Sequence, residues 1–526
     1  MARSRPPDPP HSHFIPEMSG RSRIIVSALA GILCGAAYTS PGLPLLAWVS
    51  VVPLIVMTAG ARGRIAFVCG FSNAAAFVFT CLFWLATVLK VHGGVSEACG
   101  VGVLLLIAAA WGCLTGSFAW CVSRISRAGV TRACLAAPFL WVSFEFARGH
   151  LPEVSFPWNL LGYPAAQSLA LVQTTTVTGI FGLSFVVAGF NALCAWTILA
   201  RNEFTARTRY GALGSSAMVI LAVVIVFPPL VPSATALHTA RGVQLNLPEL
   251  EEYPADWFQA NASEVVEFNR LSLAATNSRP DLIIWPEAPA PFSMQDPRFV
   301  RVASSLAVQS GHPFLAGVIE WRRTDPSAPQ WTPFNSAVLL DAQGQRVFSY
   351  DKIHLVPFGE YEPFPLIHRV VRSISPEVGG FHPGSNYAVG QLPSGFRFGV
   401  FICYEAIFAG EVRRFAAGGA NLLITISNDG WFGRSAAAEQ HLRMARVRSV
   451  ENRRWLLRVT NNGYTASVDP YGRIVASVPA DIRTAADLPY DFRTDATLYT
   501  RYGDWFAWLC VAASAVFLAL GLRRSS

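Results

Sequence analysis

The chain has 526 residues, of which 52% are hydrophobic and only 14% are charged, and its mean hydropathy is +0.37. Soluble domains carry about 25% charged residues, so these values exclude a wholly soluble protein, a disordered chain, a collagen and a coiled coil. The formal net charge of +8 does not indicate nucleic acid, because the basic excess lies in the apolar half. Residues 1–230 hold 14 basic and 6 acidic residues, whereas residues 231–504 hold 25 and 27.

Apolar stretches long enough to cross a bilayer recur through the first half of the chain. We predict seven spans there and an eighth near the end, at 24–41, 43–60, 65–89, 100–122, 131–147, 168–200, 211–230 and 505–522. The first stretch is short and follows basic residues, so a cleaved signal peptide is the alternative for it. The spans that follow immediately favour a retained helix.

Arginines cluster between alternate spans, which predicts the orientation of the chain in the membrane. The clusters are Arg3, Arg5, Arg21 and Arg23; Arg62 and Arg64; Arg124, Arg127 and Arg132; Arg201, Arg207 and Arg209; Arg523 and Arg524. Basic residues favour cytoplasmic loops, so eight spans place all these clusters and both termini in the cytoplasm. We therefore expect a cytoplasmic segment 1–23, a seven-span domain 24–230, a periplasmic domain 231–504 in a bacterial inner membrane, and a last span with a short tail at 505–526.

Two polar features lie at the outer side of the spans. Glu145 and Arg148 are three residues apart at the outer end of the fifth span, where a charge is costly. They form either a mutually satisfied pair or a contact with a lipid headgroup. The aromatic residues of 156–163 suit a membrane interface, which predicts a re-entrant or surface loop near the outer leaflet.

The polar segment 231–504 alternates strand-like and helix-like stretches. Strands are predicted at 241–246, 281–285, 314–319, 335–340, 347–351, 396–403, 421–427 and 455–460, and helices at 255–277, 297–310, 410–417 and 436–453. Turn residues at 341–344 and 469–472 predict two hairpins. Continuous apolar strands such as 422–426 indicate sheets buried on both faces. The segment is therefore predicted to be α/β, with more than one layer of sheet.

Three residues of this segment form a candidate catalytic site. Cys403 is the segment's single cysteine and ends a predicted strand; a buried packing thiol is the alternative for it alone. A nucleophilic thiol needs a base or a nearby positive charge. Lys352, one of only two lysines in the chain, and Glu287 each follow another predicted strand. Residues just beyond strand ends meet at one edge of an α/β fold, so we expect these three side chains to meet.

The sequence around these residues resembles that of a known family. Glu287 lies in Trp-Pro-Glu, Lys352 in Asp-Lys-Ile-His-Leu-Val-Pro-Phe-Gly-Glu-Tyr and Cys403 in Ile-Cys-Tyr-Glu, the order of the Glu-Lys-Cys triad of the nitrilase superfamily. Together with the spans, residues 24–522 resemble the apolipoprotein N-acyltransferases. Further matching stretches are 156–163, 427–433, 440–446 and 460–463. The resemblance implies a nitrilase-like αββα sandwich on a membrane domain of about eight spans.

The resemblance also implies a two-step acyl transfer that needs no metal or nucleotide cofactor. Cys403 would take the sn-1 acyl chain of a phospholipid, typically phosphatidylethanolamine, as a thioester. The α-amino group of a diacylglyceryl-cysteine apolipoprotein would then receive it. Glu287 would be the base, and Lys352 would stabilise the oxyanion, with the backbone N–H of Tyr404 as a second donor. Residues expected to assist the triad are Asn335, Glu360, Tyr404, Glu405 and Arg454; for Glu360 and Glu405, scaffolding is the alternative.

Other points stay open at the level of the sequence. The family has a tryptophan in a mobile loop, and either Tyr253 or Trp257 stands near its position here. The segment 357–383 is a candidate lid, a monomer suffices for the chemistry, and no nucleic acid is expected. The alternative enzyme is a membrane-tethered nitrilase-type amidase that hydrolyses a small amide. A transporter with an exported sensor domain would place several ionisable residues within the spans, where Glu145 is the main one found.

Overall fold

The structure is a computed structural model of the chain. It describes residues 18–39, 43–92, 96–151, 155–248, 253–254, 256–274, 279–323, 331–362 and 380–523. The described α-helices are α1 (Gly20–Thr39), α2 (Val52–Thr58), α3 (Gly63–Cys81), α4 (Trp84–His92), α5 (Glu97–Ser126), α6 (Val130–Arg148), α7 (Thr175–Thr178), α8 (Ile180–Leu199), α9 (Ala206–Val226), α10 (Trp257–Ala260), α11 (Ala262–Leu273), α12 (Pro297–Ser310), α13 (Ala409–Ala417), α14 (Ala437–Asn452), α15 (Leu498–Tyr502) and α16 (Trp505–Leu522).

Seven of the described helices are long and apolar enough to cross a membrane, namely α1, α3, α5, α6, α8, α9 and α16. The predicted second span differs from these, because it divides into a 3₁₀ turn at Pro44–Trp48 and the short helix α2. Proline lacks the N–H that a continuous helix needs, and Pro53 lies in the first turn of α2. At this break, the buried side chain of Asn191 on α8 forms hydrogen bonds with the backbone. Its Oδ1 accepts from Val51 N at 2.8 Å and its Nδ2 donates to Ala47 O at 2.9 Å.

Two other predicted spans are shorter in the structure. The third ends at Cys81, and α4 follows as a separate helix. The sixth begins only at Ile180, because Gly179 adopts a φ of 63° that ends the preceding turns. The carboxylate of Glu451 accepts from Ile180 N at 2.9 Å. A negative charge at a helix N-terminus is favourable, so the polar segment stabilises the start of this span.

The basic ends of the spans lie on one side of the molecule, as the arginine pattern predicts. Arg23 Nη1 donates to Met57 O at 2.7 Å, which brings the start of α1 beside the end of α2. Gly60 N donates to Ser126 Oγ at 2.9 Å, at the end of α5. At the opposite end, Gln440 of the polar segment donates to Tyr38 O at 3.2 Å. The described arginines of these clusters and the polar segment are therefore at opposite ends of the helices.

The polar segment contains two six-stranded sheets. Its strands are β1 (His238–Gln244), β2 (Leu282–Ile284), β3 (Phe314–Arg322), β4 (Thr332–Leu340), β5 (Arg346–Asp351), β6 (Val389–Gln391), β7 (Arg397–Ile402), β8 (Leu422–Ser427), β9 (Trp455–Thr460), β10 (Thr465–Val468), β11 (Ile474–Val478) and β12 (Thr484–Tyr490). The orders are β12-β1-β2-β3-β4-β5 and β11-β10-β9-β8-β7-β6. Both predicted hairpins are present, as β4–β5 and β10–β11.

Apolar side chains fill the space between the sheets and cover their outer faces. Leu282 and Leu339 of the first sheet share one buried cluster with Val400 and Leu457 of the second. Helices α11 and α12 cover the outer face of the first sheet, and α13 and α14 pack on the second. The predicted fold class, a multi-span helical part with an α/β sandwich, is confirmed.

Candidate active site

The three predicted catalytic residues lie together where the edges of the two sheets meet. Glu287 follows β2, Lys352 directly follows β5 and Cys403 directly follows β7. Lys352 Nζ donates to Glu287 Oε1 at 3.1 Å, and Cys403 interacts electrostatically with both residues. Asn428 follows β8 in the other sheet, and its backbone N–H donates to Glu287 Oε2 at 2.8 Å. The glutamate carboxylate therefore connects the two sheets at the site.

Glu287 can approach strand β3 closely because residue 317 is glycine. A Cβ added at Gly317 would lie 2.4 Å from Pro286 O and 2.6 Å from the Cα of Glu287. These neighbours are backbone atoms, which cannot move away from an added Cβ as easily as the end of a flexible side chain can. The position of the glutamate therefore depends on a residue that touches neither the thiol nor the lysine.

Lys352 is buried between two carboxylates. Its Nζ also donates to Glu360 Oε1, at 2.9 Å. Burial alone would lower the pKa of Lys352, but the charges of Glu287 and Glu360 outweigh it and hold that pKa well above its usual value. The ammonium group therefore stays charged at physiological pH and suits an oxyanion donor rather than a base. Two of its three N–H groups bind carboxylates among the described residues, which leaves one for a substrate.

Asn335 and Glu360 complete this polar cluster, as the resemblance implies. Asn335 Nδ2 donates to Glu287 Oε1 and to Glu360 Oε1, both at 2.8 Å. The other oxygen of Glu360 accepts from Val356 N at 2.7 Å. Glu360 thus binds both Lys352 and the loop backbone, so the scaffolding contacts considered from the sequence are present.

Cys403 has the backbone conformation of a residue at a sharp turn. Its φ is 50°, in the left-handed region that is costly for a residue with a Cβ. Burial raises the pKa of the Cys403 thiol, and the charge of Glu287 adds to the rise, whereas Lys352 and a hydrogen bond with Ser427 oppose it. The Cys403 side chain therefore rests as a thiol, and a base would have to remove its proton for it to act as a nucleophile.

Glu405 holds the turn rather than facing the reacting atoms. Its Oε2 accepts from Ile402 N at 2.6 Å, and its Oε1 accepts from Tyr350 Oη at 2.7 Å and from Ile353 N at 2.7 Å. Burial raises the pKa of Glu405 to about 7. These contacts tie the strand before Cys403 to the segment after β5, so they favour the scaffolding alternative for Glu405.

Tyr404 connects the nucleophile turn to the membrane helices. Its hydroxyl donates to Ser155 O at 3.1 Å, and its ring stacks on Phe156 with centroids 6.2 Å apart. Phe156 stacks in turn on Trp158, whose Nε1 donates to Gln440 Oε1 at 2.7 Å. The segment 156–163 was predicted as a re-entrant or surface loop. In the structure it is largely buried between the membrane helices and the α/β part, and Phe156, Trp158 and Tyr404 form an aromatic wall there.

Arg454 is the one predicted supporting residue that the structure does not bring to the site. It precedes β9, whereas Thr460 at the far end of β9 pairs with Ser427 at the site edge. At about 3.3 Å per residue, this separation is about 20 Å. Arg454 Nε donates to Ala420 O at 2.6 Å, and Nη1 donates to Asp495 O at 2.5 Å. Arg454 therefore binds backbone carbonyl groups at the opposite edge of the sheet.

Glu145 and Arg148 do not form the close pair that their spacing allows. Glu145 Oε1 accepts from Leu161 N at 2.7 Å. Arg148 donates to Trp158 O at 3.0 Å and lies over the Trp111 ring, 4.0 Å from its centroid. Both side chains line a cavity of about 50 Å³ in the membrane part. Each charge therefore holds the segment 156–163 through its own contact.

The structure describes only part of the other predicted features, which are the loop residues Tyr253 and Trp257, the candidate lid 357–383 and the terminal arginines. Trp257 is buried in α10 and packs against Phe292, so it is a core residue. Tyr253 is 36% exposed and is the remaining candidate for the family's loop tryptophan. Most of the candidate lid, 363–379, lies outside the described residues, as do 1–17 with Arg3 and Arg5, and 524–526 with Arg524.

A buried polar cluster behind Cys403 has no role assigned from the sequence. Ser427, Asp429, His441 and Arg458 are hydrogen-bonded to one another, and His441 contacts the Cys403 carbonyl group. Stretches 427–433 and 440–446 had been singled out only as matches to the family. The spacing of His441 from other possible ligands fits no metal-binding pattern, so the sequence alone does not indicate a role for it. Among the residues that the structure describes, no group of three or more His, Cys, Asp and Glu side chains is arranged to hold a metal ion.

Two family models match the two parts of this chain. Residues 30–193 match the model of the apolipoprotein N-acyltransferase N-terminal domain, and residues 217–488 match that of carbon-nitrogen hydrolases. The apolipoprotein N-acyltransferase of Geobacter metallireducens is 33% identical over 96% of this chain and 96% of its own length. That of Gloeobacter violaceus is 30% identical over 96% and 95%. Among solved structures, Saccharomyces cerevisiae Nit3, of the nitrilase superfamily, is 20% identical over 48% of this chain and 90% of its own, with a TM-score of 0.36.

Proposed function

The chain belongs to the apolipoprotein N-acyltransferase family, and on that premise we propose that it N-acylates the diacylglyceryl-cysteine at the N-terminus of apolipoproteins. The acyl donor is the sn-1 chain of a phospholipid, with phosphatidylethanolamine as the expected headgroup. One observation carries the assignment of the site. Cys403 lies beside Glu287 and Lys352 on a turn whose next residue, Tyr404, is hydrogen-bonded to the membrane part at Ser155.

In the first half-reaction, Cys403 Sγ attacks the ester carbonyl carbon of the phospholipid while Glu287 accepts the thiol proton. The negative charge that forms on the carbonyl oxygen is stabilised by the remaining N–H of Lys352 and by the backbone N–H of Tyr404. One well-placed oxyanion donor contributes about 3 kcal/mol. The bond between the acyl carbon and the glycerol oxygen then breaks. Glu287 returns its proton to that oxygen, and a lysophospholipid leaves.

In the second half-reaction, the α-amino group of the apolipoprotein attacks the Cys403 thioester. Glu287 accepts the amine proton, the C–S bond breaks, and the sulfur recovers a proton as the amide product leaves. The thioester preserves the activation of the original ester, so no other energy source is needed. Glu360 and Asn335 hold Lys352 and Glu287 in place through both steps.

The location of the site favours acyl transfer over hydrolysis of a small amide. Hydrolysis requires that a water molecule reach the thioester, whereas Cys403 is only 7% exposed and the aromatic wall lies beside it. A water-poor site allows a lipid-bound amine to compete for the thioester. The surroundings of the nucleophile therefore suit two lipid-attached substrates.

The orientation follows from charge. The described arginines of the clusters share the end of the helices opposite to the α/β part, and basic residues favour the cytoplasmic side. We therefore place residues 231–504 in the periplasm, and residues 1–23 and the tail after α16 in the cytoplasm. A monomer contains the whole site.

The test is mass spectrometry of the purified protein after incubation with phosphatidylethanolamine and without acceptor. We expect an acyl adduct on the Cys403 peptide that is labile to hydroxylamine, and we expect none in Cys403→Ala. Glu360→Gln should form the adduct more slowly without abolishing it, because Asn335 and Glu287 still hold the site. Folded wild-type protein that gains no adduct from any phospholipid would exclude the proposed donor, and turnover of a small amide by the same sample would favour the amidase.

A further inference from the structure

The carbonyl group of Cys403 is held by a buried histidine. His441 Nε2 lies 2.9 Å from Cys403 O, and the His441 side chain is completely buried. A carbonyl oxygen can only accept, so Nε2 carries the proton of this hydrogen bond. His441 lies on α14 and Cys403 follows β7, so the contact joins a helix to the nucleophile turn.

The ring of His441 is itself fixed by two charged residues. Nδ1 lies 3.1 Å from Asp429 Oδ1 and 3.3 Å from Arg458 Nη2, and Arg458 Nη2 forms an ion pair with Asp429 Oδ2 at 2.5 Å. In the neutral ring, a proton on Nε2 leaves Nδ1 bare, and Arg458 Nη2 can donate to it. In the protonated ring, Nδ1 also carries a proton and can donate to Asp429 Oδ1. Both forms keep the Nε2 proton that Cys403 O accepts.

The same carboxylate also reaches the thiol side of Cys403. Ser427 Oγ donates to Asp429 Oδ1 at 2.7 Å, and Ser427 lies close enough to Cys403 to oppose the rise in the pKa of its thiol. Gly463 allows this arrangement, because an added Cβ there would lie 2.1 Å from Asp429 Oδ2. One buried aspartate thus organises the partners of both the carbonyl and the thiol of the nucleophile.

These contacts explain how Cys403 keeps its backbone conformation. A residue with a Cβ seldom adopts a φ of 50°, and such strain persists only where the surroundings determine it. We propose that His441, oriented by Asp429 and Arg458, is a positioning residue that holds the Cys403 carbonyl and thereby aims Sγ at the substrate carbon and at Glu287. This deepens the proposed function and rests on it, because it assigns how the nucleophile of that reaction is held.

Two amide substitutions separate hydrogen bonding from packing. In His441→Asn, the amide nitrogen takes about the place of Nδ1, so it keeps the polar contact with Asp429 but cannot reach Cys403. In His441→Gln, the longer side chain places an N–H donor near the position of Nε2. His238→Asn is the matched control, because His238 also pairs with an aspartate, Asp281, at 2.7 Å, but at the other edge of the sheets.

Two rates are measured on each folded variant: acylation of Cys403 by phosphatidylethanolamine, and alkylation of the Cys403 peptide by iodoacetamide. A misplacement of about 1 Å can cost about 100-fold in rate, so we expect a loss of that order in His441→Asn. The KM for the phospholipid should change little. His441→Gln should recover most of both rates, and His238→Asn should retain them.

The outcomes separate the proposal from the proposed function. If wild-type protein is alkylated but never acylated, the lipid donor is wrong, and the alkylation rates still test His441. Equal rates in all variants would overturn the proposal. Equally slow His441→Gln and His441→Asn would also overturn it, because packing rather than donation would then matter. If His441→Asn does not fold, as judged by its thermal transition, His441→Leu replaces it as the variant without a donor.

Discussion

Replacement of Gly317 by alanine tests whether the position of Glu287 limits the reaction. The added Cβ would lie 2.4 Å from Pro286 O, 2.6 Å from Ala288 N and 2.6 Å from the Cα of Glu287. An ordinary van der Waals contact needs about 3.4 Å, so the loop with Glu287 must move by about 1 Å. Overpacking of this kind costs about 1–3 kcal/mol of stability, which a folded protein can tolerate.

The catalytic effect should exceed the effect on stability. A shift of about 1 Å in a catalytic group can cost about 100-fold in rate, which corresponds to about 2.7 kcal/mol of transition-state stabilisation. The displaced carboxylate would also lengthen its contacts with Lys352 Nζ and Asn428 N, now 3.1 and 2.8 Å. We therefore expect a lower rate of thioester formation with little change in the KM for the phospholipid.

The assay is single-turnover acylation of Cys403, followed by mass spectrometry, with a thermal transition measured on the same sample. Gly189→Ala is the matched control, because a Cβ at Gly189 on α8 meets no atom within 4 Å. A folded Gly317→Ala protein that acylates as fast as the control would refute the argument that the β3 contact sets the position of the base.

Two further predictions concern stability and orientation. The pKa of Glu405 is raised to about 7 from 4.5, so its titration stabilises the protein below pH 4.5 and this contribution is lost as the pH rises to 7. The Tm of the wild type relative to Glu405→Gln should therefore fall over this interval, and a constant difference would contradict the burial argument. For orientation, a membrane-impermeant maleimide applied to intact cells should label Arg434→Cys, whose native side chain is 92% exposed, and not Arg62→Cys, each in a Cys99→Ala background. The reverse labelling would invert the proposed topology.

The candidate triad could be predicted because each member lies just beyond a predicted strand. Strands β2 and β7 are rich in apolar residues, β5 is marked by its place in a hairpin, and the topology then brings the ends of all three to one edge. Arg454 was misplaced because a resemblance gives a position along the chain but not the end of the strand at which it lies. Arg458, four residues after Arg454, lies near the middle of β9 and donates to Asp429.

The boundaries of the spans were predicted less well, for a physical reason. Hydropathy reports whether a stretch is apolar, but it does not report whether its backbone hydrogen bonds continue. Pro53 interrupts the second span, and Asn191, 138 positions later, supplies the missing partners. The sixth span begins at Ile180 because Gly179 ends the preceding turns, and Glu451 of the α/β part binds the first N–H of the helix. Such tertiary contacts cannot be read from a local window of sequence.

The contacts of the nucleophile turn account for a nitrilase-type triad that acylates an amine instead of releasing an acid. The triad could catalyse attack on the thioester by either water or an amine, so the triad alone does not determine the product. We predict that the difference depends on Tyr404, which is adjacent to Cys403 and packs on Phe156 of the membrane part. If this wall excludes water, Tyr404→Ala should raise hydrolysis of the Cys403 thioester relative to transfer, because the opened space admits water while the triad is unchanged. Partition between free fatty acid and acylated acceptor measures this ratio. An unchanged ratio would show that water is excluded elsewhere.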